Sequence, residues 1–201
     1  DNVRAAAGST SDSTEATTTG FNIQASATTN QYALNRRNFY LFDTSSLGGG
    51  ATISAATLSL MTNDITSYNG LSGAASDNSA IVIVASTPAS TSSIANADYA
   101  QLGATDFGRS PRQNLFSTEV YADITLSAAG ITNISKTGIS KFGSAVAWDF
   151  DNTLTVITWA NAGQQAILTY NADTAGTTKD PKLTITYIPG AKSITALLLG
   201  V

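Results

Sequence analysis

The sequence has no cysteine and no histidine, and only 10 Lys plus Arg and 14 Asp plus Glu in 201 residues. Without cysteine there are no disulfides, thiolate nucleophiles or thiolate metal sites. Without histidine, Ser-His-Asp and Cys-His arrangements cannot be assembled from this chain, and histidine-ligated zinc is ruled out. The formal net charge of -4 and the absence of a basic stripe argue against nucleic acid, since the densest cationic pair is Arg36 and Arg37. No apolar run approaches the roughly 20 residues that cross a bilayer, so no membrane span is expected. What replaces charge is hydroxyl: 29 Thr and 23 Ser. A surface with so little charge weakens the self-repulsion that keeps proteins apart, which suits a subunit that associates and an extracellular location.

The pattern of the chain is that of strands. Asn38 to Asp43 is an aromatic and aliphatic run of strand length, and Gly48, Gly49 and Gly50 offer the freedom a tight reversal needs. From Ser54 the residues alternate, with Ala56, Leu58 and Leu60 on one face and Ala55, Thr57 and Ser59 on the other. The stretch from Arg36 to Met61 therefore reads as a central hairpin. Further strands are expected at Val3–Ala7, Phe21–Ala25, Ile81–Val84, Tyr121–Leu126, Lys141–Phe150, Ala166–Tyr170 and Leu183–Tyr187. Of these, Ile81–Val84 lacks alternation and reads as covered on both faces. Residues 9–20 read as a polar loop or arm, and Thr62 to Ala80 as loop. Helical turns are expected over Asn96–Leu102 and Ser127–Gly138, the second stopped by Gly138. The fold class is all-β: a single antiparallel β-sandwich, jelly-roll-like, with one or two short helical turns, spanning 1–188. Residues 189–201 form an apolar tail after Pro189-Gly190. Its Ile194, Leu197, Leu198, Leu199 and Val201 read as a final strand of the same sandwich or as a strand exchanged between subunits.

Five phrases taken together carry a family resemblance. They are Arg37-Asn-Phe-Tyr-Leu-Phe-Asp-Thr-Ser-Ser-Leu, Ala51-Thr-Ile-Ser-Ala-Ala-Thr-Leu-Ser-Leu, Ile131-Thr-Asn-Ile-Ser-Lys-Thr-Gly-Ile-Ser-Lys-Phe-Gly, Trp148-Asp-Phe-Asp-Asn and Gly176-Thr-Thr-Lys-Asp-Pro-Lys-Leu-Thr-Ile-Thr-Tyr. In this order they resemble the DNRLRE-type β-sandwich domain, a group similar to the disaggregatase-related and carbohydrate-binding modules of bacterial surface proteins and to variants in phage and environmental virion proteins. The resemblance implies a non-catalytic jelly-roll module on a cell or virion surface. The carbohydrate-binding relatives belong to larger polypeptides, whereas this chain adds the apolar tail, a departure that favours a structural subunit over sugar binding.

Candidate chemistry is sparse. A Ser-Lys pair is conceivable, but no Lys lies three residues after a Ser, and Ser135-Lys136 and Ser140-Lys141 read as surface loop residues. Asp149 and Asp151, two apart in an extended strand, would share a face with their Cβ atoms about 6 to 7 Å apart. A retaining glycosidase sets its carboxyl groups about 5 to 5.5 Å apart across a cleft, so this spacing alone selects no mechanism. The bland alternative is a turn begun by Asp151-Asn152. If the oxygens of Asp149, Asp151 and Asn152 hold any cofactor, calcium suits them, as it takes six to eight oxygen ligands. A glycan platform would need an exposed aromatic ring. Trp159 in a loop-like context is the first choice, with Tyr99 and Tyr121 beside it, whereas Trp148 reads as core. Arg36 and Arg37 could pair with Asp43 or stack on Tyr40.

The function expected from these residues is a non-catalytic structural subunit of an extracellular assembly, a virion surface, decoration or fibre protein or a cell-surface filament. Its partners would be copies of itself or other subunits of that surface. The alternative is a carbohydrate-binding module recognising surface polysaccharide.

Overall fold

A computed structural model of the chain describes residues 8, 11, 18–29, 31–69, 80–110, 118–152 and 164–191. Among the described residues ten strands form two antiparallel sheets: β1 (Thr18–Ala25), β2 (Tyr32–Asn35), β3 (Asn38–Asp43), β4 (Thr52–Asn69), β5 (Ile81–Ala85), β6 (Gly108–Ser110), β7 (Tyr121–Thr125), β8 (Ile139–Val146), β9 (Gln164–Tyr170) and β10 (Lys182–Ile188). The first sheet runs β10-β4-β9-β1-β2, with β7 also pairing β4, and the second runs β3-β8-β5-β6. The connections β2 to β3, β3 to β4, β4 to β5, β6 to β7, β7 to β8 and β8 to β9 all change sheets, the winding of a jelly-roll-like sandwich.

The core lies between the sheets. Leu58 and Leu60 of β4, Ile124 of β7 and Ile167 of β9 face Ile81 and Ile83 of β5, Phe142 of β8, and Trp148, all fully buried or nearly so. Each such side chain stabilises the fold by about 1.5–3 kcal/mol relative to exposure. Phe142 meets both Phe42 and Phe107 edge to face, with centroids 6.4 and 6.2 Å away. β5 also uses its other face: Val82 and Val84 pack with Ala80 and Ala147, and Leu102 and Phe150 close over them. That second cluster is why Ile81–Val84 shows no alternation.

Several sequence expectations change on folding. The strands β3 and β4 both form, but they do not pair as a hairpin. β3 lies against β8, and β4 lies against β10, β7 and β9. Both strands carry an apolar face, and the two faces close one core from opposite sides. The link between them is a 3-10 turn, Ser45–Leu47, followed by Gly48 at φ 77°, a conformation that favours glycine. Thr44 pins the crossing, its hydroxyl donating to Ser135 O and hydrogen-bonded to Ser140 Oγ, both at 2.6 Å.

β4 does not end at Met61 but runs through the expected loop to Asn69, because β9 supplies a ladder from Thr62↔Thr169 to Asn69↔Gln164. Ladder partners here override the low strand propensity of Asn and Asp. β1 begins at Thr18, inside the expected polar arm, where it pairs with Tyr170. The helix after Ser127 covers only Ala128–Thr132 and closes at Asn133, so Gly138 does not stop it. Ser127 caps it by accepting from Gly130 N. β8 ends at Val146, and Ala147–Phe150 is a one-turn helix rather than the end of a strand. The expected strand Val3–Ala7 and the tail residues 192–201 lie outside the described residues.

Candidate functional site

Two aspartates at the one-turn helix Ala147–Phe150, Asp149 within it and Asp151 at its end, are each paired with an arginine. Asp149 is 1% exposed and faces Arg37, which is 11% exposed. The pair is bidentate: Arg37 Nε donates to Asp149 Oδ2 at 2.7 Å and Nη2 to Oδ1 at 2.9 Å. Nη1 donates to Tyr99 O at 2.8 Å, and the guanidinium plane sits 4.1 Å from the Tyr99 ring centroid. Burial works to lower the Arg37 pKa, but the hydrogen bond and charge of Asp149 outweigh it and hold the cation firmly protonated. A buried ion pair of this quality is strongly coupled to the fold, because removing one partner strands the other charge in a medium that cannot solvate it.

Asp151, at the end of the same helical turn, points to a different arginine. Arg109 of β6 donates from Nη1 and Nη2 to Asp151 at 2.6 and 2.7 Å, and from Nε to Asp106. This pair is wetter, at 32% and 29% exposure. The Arg109 hydrogen bond lowers the Asp151 pKa. In a helical turn, residues two apart are rotated by about 200°, whereas in the expected strand they would share a face. Asp149 and Asp151 therefore diverge, each engaged by its own guanidinium, and neither a carboxylate dyad nor a shared calcium cradle is formed by them. Asn152 is exposed and left-handed at φ 54°, the turn conformation that asparagine tolerates, so the Asp151-Asn152 turn is present. Among the described residues no group of three His, Cys, Asp or Glu gathers where it could hold a metal ion.

The aromatic candidates are placed as follows. Tyr99 is half-buried under Arg37. Tyr121 is half-buried, donates its hydroxyl to Thr178 O and Asp180 O at 2.8 and 2.9 Å, and carries Lys182 Nζ 3.3 Å from its ring centroid. A sugar stacked on either ring would compete with these cations. Trp159 lies outside the described residues, and Trp148 is core, as expected. Of the Ser-Lys pairs, Ser135-Lys136 lies half-buried in the loop before β8, whereas Ser140-Lys141 is not loop surface: Ser140 is fully buried in β8, bonded to Thr44 Oγ1 and Ser135 N, and Lys141 donates to Pro88 O at 3.0 Å. Arg37 does not use Asp43, whose Oδ1 instead accepts from Ser45 N.

The remaining feature is the end of β10. Ile188 is 71% exposed and Tyr187 39%, among the most exposed large apolar side chains described. Gly190 then meets Gly50 so closely that a Cβ on Gly190 would lie 2.6 Å from Gly50 backbone carbon. The polypeptide is thus held at a fixed place before residues 192–201 begin. The assembly residues Ile194, Leu197, Leu198, Leu199 and Val201 lie outside the described residues.

No protein-family model matches this chain, and no curated protein matches it significantly. The resemblance carried by the five phrases therefore rests on those phrases alone.

Sequence reasoning missed Arg109, Asp106 and Asp98. Asp98 is buried and accepts from Ala95 N and Ala89 N at 2.8 and 3.0 Å, which lowers its pKa and ties the turn Asn96–Ala100 to the end of β5. Its position three residues after Ala95, in a short Asn-Ala-Asp turn, was the available signal. Arg109 offered none, since its partners lie 42 residues on in Asp151 and in a loop of no regular pattern.

Proposed function

We propose that this chain is a non-catalytic structural subunit of an extracellular assembly, self-associating through its C-terminal segment. The observation that carries the reading is the end of β10, where exposed Tyr187 and Ile188 lead directly into the apolar residues 192–201. Apolar surface placed beside an apolar extension is surface that a neighbouring subunit can cover. The low charge of the chain supports the same reading, as does the Arg37–Asp149 pair, whose charge is buried in the fold. The resemblance to surface and virion domains adds the extracellular setting.

The test is electron microscopy and solution mass of the full chain beside a chain ending at Ala191, which keeps the Gly190 to Gly50 contact. Ordered filaments or particles are expected from the full chain and a folded monomer from the shorter one. Equal assembly of both would remove the C-terminal segment from the mechanism, and a monomeric full chain would remove assembly itself.

A further inference from the structure

β10 ends its sheet: among the described residues its ladder partner is β4, so the opposite edge presents unpaired N–H and C=O groups over the seven residues Lys182–Ile188. Natural sheets guard such edges with charge, proline, bulges or a covering segment. Here the guards are weak. Proline stands before the strand at 181 and after it at 189, not within it. The one register shift places its extra residue, Ser54, on β4. The one charge, Lys182, is drawn over the Tyr121 ring of its own sheet. The other exposed residues are Thr184, Thr186, Tyr187 and Ile188, good strand formers without charge.

As far as Ala191, the last described residue of this segment, the chain does not turn back over this edge. A Pro-Gly reversal of type II needs the glycine at positive φ, and among the described residues the positive-φ glycines are Gly48, Gly108 and Gly176. Gly190 instead packs on Gly50, which precedes β4, the strand on the inner side of β10 where Ile188 pairs with Thr52. Gly190 opposite Gly50 continues the register of Ile188↔Thr52, so through Gly190 the chain runs on beside the residues that precede β4 rather than folding over the open edge. Beyond Ala191 lie ten residues with one charge, Lys192. Extended, ten residues reach about 33 Å, more than the roughly 23 Å of a seven-residue strand.

We infer that the open edge of β10 is an acceptor site for residues 192–201 of a second copy of this chain, added as a strand. The inference rests on the assembly reading above and deepens it by naming the receiving surface. Each copy would donate one segment and accept one. Such a head-to-tail contact is heterologous and, unless the rotation closes, builds an open filament. Backbone pairing would supply the affinity, and the apolar side chains of the segment would cover Tyr187 and Ile188.

The chain has no cysteine, so introduced cysteines report only their own encounters. Full-length Thr184→Cys and Thr186→Cys chains are each mixed with full-length Ile194→Cys and Leu198→Cys chains, allowed to assemble and oxidised. Each variant is also oxidised alone, and the double variant Thr184→Cys/Leu198→Cys is oxidised at high dilution. A cross-linked pair is expected in at least one mixture, at a yield several-fold above either variant alone. Four results would overturn the inference. Dimers of Thr184→Cys alone at equal yield would mean that two β10 edges pair with each other. An internal bridge in the dilute double variant would mean that the segment covers its own edge. Assembly with no bridge in any pairing would leave the assembly reading standing and place the contact elsewhere, whereas a full chain that never assembles would remove both.

Discussion

Around Ala147–Phe150 the molecule sets charge against charge, whereas along β10 it leaves backbone and apolar side chains open. Both regions come from the same charge-poor sequence, with 10 basic and 14 acidic residues in all. At the first, Arg37 and Arg109 are each held by carboxylates and by an aromatic ring, Tyr99 for one and Phe150 for the other. At the second, the one lysine of the strand is turned onto its own sheet and the other exposed residues are threonine, tyrosine and isoleucine. Charge at the first region goes into pairs that fix the fold, whereas none is set to guard the edge at the second. An unguarded edge of this kind is the surface that the proposed assembly would pair.

That contrast can be broken by substitution. The largest effect is expected from Arg37→Ala, which leaves Asp149 buried and unpaired. A loss of about 3–5 kcal/mol is expected in chemical denaturation, and Arg37→Lys should not restore it, since the bidentate fork and the stacking on Tyr99 are lost. The double change Arg37→Met with Asp149→Leu should recover most of the loss.

Acid comes next. Asp98 and Asp151 have pKa values lowered in the folded state, by backbone N–H donors for Asp98 and by Arg109 for Asp151. Their stabilisation is fully present above the ordinary carboxylate value of about 4 and is lost as pH falls through the depressed folded values. The melting temperature should therefore hold level from neutral pH down to about pH 5 and fall below it. A curve that falls between pH 7 and 5 instead would mean that other groups control stability.

A smaller effect is expected from Arg109→Ala, about 1 kcal/mol or less, because that pair is about one-third exposed and solvent screens it. The smallest effect on folding belongs to Ile188→Lys, within about 0.5 kcal/mol as for most surface changes, yet this variant should assemble several-fold more weakly. A loss of stability without a loss of assembly would reverse the contrast between the two regions.

The β content, the alternating face of Ala56, Leu58 and Leu60, and the double burial of Ile81–Val84 were legible in the sequence because each depends on local periodicity. Pairing was not. Asn38–Asp43 and Thr52–Met61 look like two arms of a hairpin, and nothing local says that the first finds its partner 96 to 106 residues away, from Asp43↔Ile139 to Asn38↔Ser144, or that the second pairs with β10 123 to 136 residues away. The extension of β4 through Asn63 and Asp64 depends on β9, which is equally distant in sequence. The candidate site was misread for a related reason. One helical turn at Ala147–Phe150, set by packing of Ala147 and Trp148 into the two cores, rotated Asp149 away from Asp151. The exposed end of β10 was legible only as composition, in Tyr187-Ile188 before Pro189-Gly190. Its meaning as an edge required the sheet order.

The most direct measurement is the solution mass of the full chain beside the chain ending at Ala191, with circular dichroism on both to show the same β fold. Large assemblies from the first and a folded monomer from the second are expected. The same mass for both, whether assembled or monomeric, would contradict assembly through residues 192–201.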